Sequence, residues 1–171
     1  MTTQYISKLK WWQIAAVALA VSFIGGLSSL LSSKKEKALY TKELEQAPWA
    51  PPSWLFGPAW TINNFFLLLA LQQLLNDRTG NNKKLLRLQL FIWVIYFSFG
   101  YVYFNKKSPV LASIWTVTDA VLATTSFLIA YKENKKLSAY YVPLSLWTLF
   151  ASTLAVYQAI NNKDPFLKVG G

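Results

Sequence analysis

Long apolar runs separated by short polar connections dominate the chain. These runs are about as long as an α-helix that crosses a bilayer, roughly 20 residues. They predict five helices, over about residues 11–32, 53–75, 85–104, 110–131 and 138–160. Because all connections but the first are short, helices adjacent in sequence are expected to be antiparallel neighbours in one bundle. The sequence therefore predicts an all-α membrane protein in which residues 1–171 form a single domain.

Several positions mark where these helices should begin and end. The pair Pro51-Pro52 favours an extended entry, and Ser53 is then expected to cap a second helix whose first turn begins at Trp54. Ser138 is the expected cap of the fifth helix, with Pro143 near its first turn. The polar tail, residues 161–171, is expected to fray.

The first helix and the connection that follows it have patterns of their own. Ser22, Gly25, Gly26 and Ser29 form small-x-x-x-small pairs, which allow another helix to approach closely. Residues 34–48 are the longest polar connection, with a few apolar points such as Leu44. We expect this connection to form a short helix that covers the mouth of the bundle like a lid.

Composition supports a multi-pass integral membrane protein without indicating which membrane holds it. Apolar residues make up 54% of the chain and charged residues only 14%, against about a quarter in soluble domains. The chain has neither Cys nor His, which excludes thiolate chemistry, imidazole metal sites, haem ligation by either residue and Ser-His triads. We accordingly predict no metal site and no catalytic residue.

The net charge of +10 predicts contact with lipid headgroups rather than with nucleic acid. The basic residues are distributed over every loop and form no single patch in the sequence. Nine of them fall on the side of the N-terminus and eight on the other side, so their number does not determine the orientation in the membrane.

A tryptophan- and proline-rich stretch and one buried acid indicate where a ligand could bind. Residues 49–60 hold three tryptophans and three prolines. An aromatic belt at the membrane boundary could explain each tryptophan singly, but it does not require their fixed spacing.

Asp119 is an acid well inside a predicted span, on one helix face with Trp115, Leu122 and Ser126, and that face should look into the bundle. A structural hydrogen bond from Asp119 is the alternative to a functional role.

Aromatic stripes on the second, third and fifth helices would line a cavity suited to a large, flat, apolar ligand. Ordinary helix packing is the alternative for any single residue. The candidate ligand-binding residues are Trp49, Trp54, Trp60, Asn64, Trp93, Tyr96, Asp119, Trp147, Phe150 and Ala151.

The same stretch resembles a known family. Residues 48–61, Pro-Trp-Ala-Pro-Pro-Ser-Trp-Leu-Phe-Gly-Pro-Ala-Trp-Thr, are similar to the signature of the TspO/MBR family of translocator proteins and tryptophan-rich sensory proteins. Further matches are Tyr103, Phe104, Pro109, Asp119, Pro143, Trp147, Phe150 and Ala151. Departures from the family's pattern fall at Asn63, Asn64, Tyr96, Phe99, Ala155 and Ala159.

The resemblance implies five membrane helices and a receptor or sensor for tetrapyrroles such as protoporphyrin IX, or for sterols and other flat apolar ligands. It also implies a homodimer in many members. A light-dependent porphyrin-degrading enzyme and a tetrapyrrole transporter are the alternative functions that the resemblance leaves open, and a scaffold without a small ligand is a further one. Sparse intramembrane charge and the lack of a visible inverted repeat make transport less favoured than binding.

Overall fold

The computed structural model describes residues 8–27, 42–76 and 81–169, and these are almost entirely helical. The helices are α1 (Trp11–Leu27), α2 (Phe56–Asn76), α3 (Asn82–Gly100), α4 (Pro109–Glu133) and α5 (Lys135–Asn161). Within the described ranges, four helical segments of 24 to 27 residues, those of α2 to α5 with their short extensions, are long and apolar enough to cross a bilayer. The predicted all-α membrane architecture is confirmed, although residues 28–32 of the first predicted helix lie outside the described ranges.

The five helices pack into one bundle. α1 lies against α2 and α3, α2 also contacts α5 and α3, and α4 packs against α3 and extensively against α5. Gln89 links three helices in the core, because its Nε2 donates to the carbonyl of Leu67 at 2.7 Å and its Oε1 accepts from the hydroxyl of Tyr141 at 3.2 Å. The apolar core comprises Leu67, Ala70, Leu74, Leu85, Ile92, Ala123, Ala130, Leu137, Tyr141 and Leu144.

The start of the second helix differs from the prediction. The chain enters through a 3₁₀ turn at Ser53–Leu55, and α2 proper begins at Phe56. Ser53 is the first residue of this turn and its side chain makes no capping hydrogen bond, so the predicted cap is wrong. Pro52, with φ −54° and ψ 139°, is the residue that turns the extended entry into the helical segment.

The start of the fifth helix also differs. Asn134 is the cap, since its Oδ1 accepts from the backbone N–H of Leu137 at 3.0 Å, and α5 begins at Lys135. Ser138 lies inside the helix and bonds back to the carbonyl of Lys135, so the cap predicted there is wrong. Because the helix starts earlier, Pro143 lies in its interior, and the prediction that this proline falls near the first turn is also wrong.

The third helix ends in a wider turn before α4. Residues Tyr101–Asn105 continue α3 as one π-helical turn. Ser108 then caps α4, its Oγ accepting from the N–H of Leu111 at 3.1 Å, and Pro109 occupies the first turn, where its missing N–H costs least.

The tail contradicts the expectation of fraying over its described part, residues 162–169. A backbone bridge joins Asp164 to Val169, and the Asp164 side chain is 1% exposed. Its Oδ2 accepts from Ser108 Oγ at 2.5 Å and from the N–H of Val110 at 3.1 Å. The tail is thereby attached to the beginning of α4.

Candidate ligand-binding site

The first group of aromatic side chains lies where α1, α2 and α3 meet. Trp60 and Tyr96 have ring centroids 5.0 Å apart, Trp93 lies 5.9 Å from Tyr96, and Phe97 stacks on Trp93 at 5.8 Å. We call these four residues the α2–α3 cluster. The structure thus brings together three of the predicted site residues, and Tyr96 is their common neighbour.

Tyr96 also closes the contact with α1. A Cβ atom placed on Gly25 would overlap the hydroxyl end of the Tyr96 ring, so a larger residue at this position would force the ring to shift. Asn64 Nδ2 donates to Ser22 Oγ at 2.9 Å, and both side chains lie beside the Tyr96 hydroxyl. The predicted close approach at the small residues of α1 is therefore confirmed at Gly25. A Cβ on Gly26, in contrast, would meet no atom of the described residues within 4 Å.

The second group lies between α2 and α5. Trp147 packs edge-on against Phe56 at 5.4 Å and lies 6.0 Å from Phe150. We call these three residues the α2–α5 cluster. The indole Nε1 of Trp147 is buried and has no hydrogen-bond partner within the described part of the chain. Ala151, the small residue predicted to leave room for a flat ring, is one turn beyond Trp147 and partly exposed.

The tryptophans predicted at the mouth occupy different surroundings. Trp49 packs edge-on against Tyr157 at 5.4 Å and donates from Nε1 to Thr153 Oγ1 at 3.1 Å. It forms one wall of an open groove of about 480 Å³ on the outer face of α5. Trp54 is 70% exposed and points away from the bundle. The groove includes none of the other nine predicted site residues; the rest of its lining is Ser152, Thr153, Val156, Tyr157, Ile160 and Asn161.

Asp119 is 2% exposed, and its predicted position on the inward face of α4 is confirmed. Ser126 on the same face is fully buried, and Leu122 packs against the core. Asp119 Oδ1 has no hydrogen-bond partner among the described residues. The structural hydrogen bond considered from the sequence is therefore not made through this atom, and the described contacts do not join Asp119 to either aromatic cluster.

Sequence reasoning missed the contacts that hold the end of the first connection, residues 42–50. The N–H of Glu45 donates to Asn162 Oδ1 at 2.7 Å, and Asn162 Nδ2 donates back to the Glu45 carbonyl at 3.1 Å. Glu45 Oε1 also accepts from the Tyr157 hydroxyl at 2.7 Å, and Gln46 Oε1 accepts from Gln158 Nε2 at 2.6 Å. This end of the predicted lid is thus fixed to the last turn of α5, while residues 34–41 lie outside the described ranges.

The only sequence signal for these contacts is the group of amide-bearing side chains at positions 158, 161 and 162, which is equally typical of a solvated helix end. Their partners lie 112 and 117 residues away along the chain. No local pattern could have paired them.

Comparisons with known proteins agree with this architecture. The sequence pattern that defines the TspO/MBR family matches residues 14–160. A tryptophan-rich protein TspO of Archaeoglobus fulgidus is 28% identical over 147 residues, which cover 85% of this chain and 95% of the relative. A protein of the same name from Chlorobaculum tepidum is also 28% identical over 147 residues, covering 83% and 92%.

Proposed function

We propose that this chain, which belongs to the TspO/MBR family, is a membrane receptor that binds a porphyrin-type tetrapyrrole or a similarly flat apolar ligand between its helices. Family membership supports the coarser statement, a membrane protein of the receptor or sensor type. The assignment of a flat aromatic ligand is the further step of this proposal. It follows from the side chains of the two aromatic clusters and from the polar atoms beside them.

The main support for this proposal is the buried indole N–H of Trp147, which has no hydrogen-bond partner among the described residues. A buried donor left without an acceptor costs about 1–3 kcal/mol. In the α2–α5 cluster the ring contacts Phe56 and Phe150, which have no conventional hydrogen-bond acceptor in their side chains. A ligand that combines a flat apolar ring with a carboxylate or another acceptor would stack on these rings and accept from this N–H.

Asn63 on α2 is a second buried donor, which supports a ligand site between the helices. It is 3% exposed, and its Nδ2 also has no partner among the described residues. Asn63 lies on α2, the helix that brings Phe56 against Trp147. A second donor on the neighbouring helix favours a ligand with more than one acceptor group, as the propionates of a porphyrin provide.

A dark titration of the detergent-purified protein with protoporphyrin IX tests the proposal, with quenching of tryptophan fluorescence as the readout. We expect saturable quenching in the wild type. Ala151→Phe should abolish it, because the added ring would lie one turn from Trp147 on the same face of α5 and would compete with the ligand. Trp147→Phe should weaken it about tenfold, since it removes the N–H but keeps an aromatic ring.

Leu146→Phe is the matched control. It adds a ring on the same helix, but on a side chain that is 64% exposed on the outer face. This variant should bind like the wild type. Equal quenching without saturation in all four proteins would mean that the porphyrin partitions into the detergent micelle, and the proposed site would be wrong.

A further inference from the structure

Six basic side chains from two separate segments lie at the end of the bundle where α3 and α5 begin and α4 ends. All six are exposed. We call them the basic cluster; they are Lys83, Lys84, Arg87, Lys132, Lys135 and Lys136. Because α3 and α5 both start here, the positive ends of two helix dipoles add to the charge.

A specific contact holds the two segments together. The backbone N–H of Asn81 donates to Glu133 Oε2 at 3.4 Å, and Asn81 Nδ2 donates to Glu133 Oε1. Glu133 is the one acid at this end within the described residues, and its carboxylate faces Asn81. Asp77 and Arg78, in the connection between α2 and α3, lie outside the described ranges, and their charges cancel in the sequence. A concentrated positive charge remains.

The opposite end of the bundle is different. There the described basic residues are interspersed with three acids, Glu43, Glu45 and Asp164. One of the cations, Lys106, lies over the rings of Phe166 and Tyr101, with its Nζ 4.8 Å and 5.5 Å from their centroids. The sequence places nearly equal numbers of basic residues at the two ends. Among the described residues, however, most of the acids that accompany them lie at the opposite end.

Apolar side chains continue directly from the basic cluster along the same helices. On α3, Leu90 is 60% exposed and Phe91 is 57% exposed. On α4, Leu128 and Tyr131 are each 52% exposed. Arg87 lies five residues into α3, about 7.5 Å along the helix axis, between the lysines and this apolar surface.

We propose that the basic cluster binds the phosphate of an anionic phospholipid, whose acyl chains lie on the exposed apolar surface of α3 and α4. Clusters of four to eight Lys and Arg next to a membrane span attract anionic lipids. Arg87 forms two parallel hydrogen bonds with one phosphate group, and the lysines balance the remaining charge. A lipid fits better than a soluble phosphate because the charged and the apolar surfaces are continuous.

Native mass spectrometry of the detergent-purified full chain tests this directly. The protein is titrated with phosphatidylglycerol and, separately, with phosphatidylcholine of the same acyl chains. We expect tighter binding of the anionic lipid, and adding inorganic phosphate should not displace it. Displacement by inorganic phosphate would mean that the site takes a soluble phosphate, and the assignment to a lipid would be wrong.

Matched triple variants locate the site. Near an anionic surface each Lys or Arg contributes about fivefold in affinity. The triple variant Lys83→Gln, Lys84→Gln, Arg87→Gln should therefore lose at least about tenfold of its preference for phosphatidylglycerol. The triple variant Lys42→Gln, Lys163→Gln, Lys168→Gln removes the same charge from the opposite end and should keep the preference.

A charge-conserving variant and the comparison of the two Gln triple variants test the proposal further. A variant in which Lys83 and Lys84 are both replaced by Arg should bind like the wild type, because it keeps the charge. Equal losses in the two Gln triple variants would show that total charge alone attracts the lipid. An unchanged preference in the first triple variant would also overturn the proposal, provided that its thermal unfolding midpoint in neutral detergent matches the wild type.

Discussion

Two carboxylates in this protein are equally buried but have opposite surroundings. Asp119 in α4 is 2% exposed and Asp164 in the tail is 1% exposed. Asp164 accepts four hydrogen bonds, two on each oxygen. Asp119 Oδ1 has no partner within the described part of the chain. A buried polar group that is fully partnered stabilises the fold, whereas an unpartnered one is costly and indicates another role.

The contrast extends to other residues. At the end of the bundle near Asp164, the side-chain amide of Asn162 pairs with the backbone of Glu45, and that of Gln158 pairs with the side chain of Gln46. In the interior, Trp147 Nε1 and Asn63 Nδ2 have no hydrogen-bond partner within the described ranges. We interpret the first region as a structural fastening, and we propose that the second is the binding region. The described contacts join Asp119 to neither aromatic cluster, so the same substitution at the two acids compares their contributions to stability.

Asp164→Asn should have the largest effect on stability. An Asn has one accepting oxygen, so its NH₂ group would face two of the four donors that Asp164 now satisfies. We expect the free energy of unfolding to fall by about 3 kcal/mol, since hydrogen bonds to a charged group contribute about 1.5–3 kcal/mol each. Thermal unfolding in detergent measures this, and a midpoint equal to that of the wild type would show that the tail contact is not stabilising.

The effect of pH at Asp164 has a defined sign. Burial acts to raise the pKa of this carboxyl, but the hydrogen bonds from Ser108, Leu167, Val110 and Phe166 together lower it below its ordinary value. Because the pKa is lower in the folded state, the ionised carboxyl stabilises the fold. This contribution is complete when the pH is above the pKa of the unfolded state, about 3.9, and it is lost as the pH falls through the pKa of the folded state. The wild type should therefore keep its advantage over Asp164→Asn at pH 5 to 7, and the difference should shrink only in stronger acid.

Ser108→Ala should have a smaller effect, about 2 kcal/mol. The hydroxyl of Ser108 caps α4 through the N–H of Leu111 and donates to Asp164, so its loss removes both contacts. Ser113→Ala is a suitable control, because that hydroxyl bonds only to the carbonyl of Val110 within the same helix. Equal melting midpoints of the two variants would contradict the role assigned to Ser108.

Asp119→Asn should have the smallest effect, within about 1 kcal/mol of the wild type. Asp119 Oδ1 has no partner in the described part of the chain, so an amide of the same shape removes no observed hydrogen bond at this atom and lowers the cost of burial. Thermal unfolding measured beside Asp164→Asn gives the comparison directly. A loss of stability as large as that of Asp164→Asn would mean that Asp119 is a structural anchor.

Sequence patterns predicted the five helices and the burial of Asp119 because both depend on local periodicity. Long apolar runs determine the spans, and the spacing of Trp115, Asp119 and Ser126 determines which face is buried. The role of Asp164 could not be predicted in this way. Its partner Ser108 lies 56 residues earlier, and the surrounding Asn-Asn-Lys-Asp-Pro has the composition of a solvated tail.

Helix starts were the less predictable part of the fold. Asn134 caps α5 directly before two exposed lysines. The first turn is therefore polar, and the apolar run in the sequence begins later than the helix. At Ser53 a suitable capping residue was present, but the two prolines before it lead the chain into a 3₁₀ turn instead. The aromatic residues of the predicted site were chosen from their spacing, and the division of five of them between two clusters depends on how α2 packs between α3 and α5.

The central claim, that unpartnered polar atoms mark the binding region, is tested most directly by the indole ¹H–¹⁵N signals of the eight tryptophans. Trp147→Phe identifies the Trp147 signal by its disappearance. During a dark titration with protoporphyrin IX, we expect this signal to shift saturably, whereas that of Trp49, already bonded to Thr153, changes little. If porphyrin binds saturably while the Trp147 signal stays in place, or if all the indole signals shift alike, the claim is contradicted.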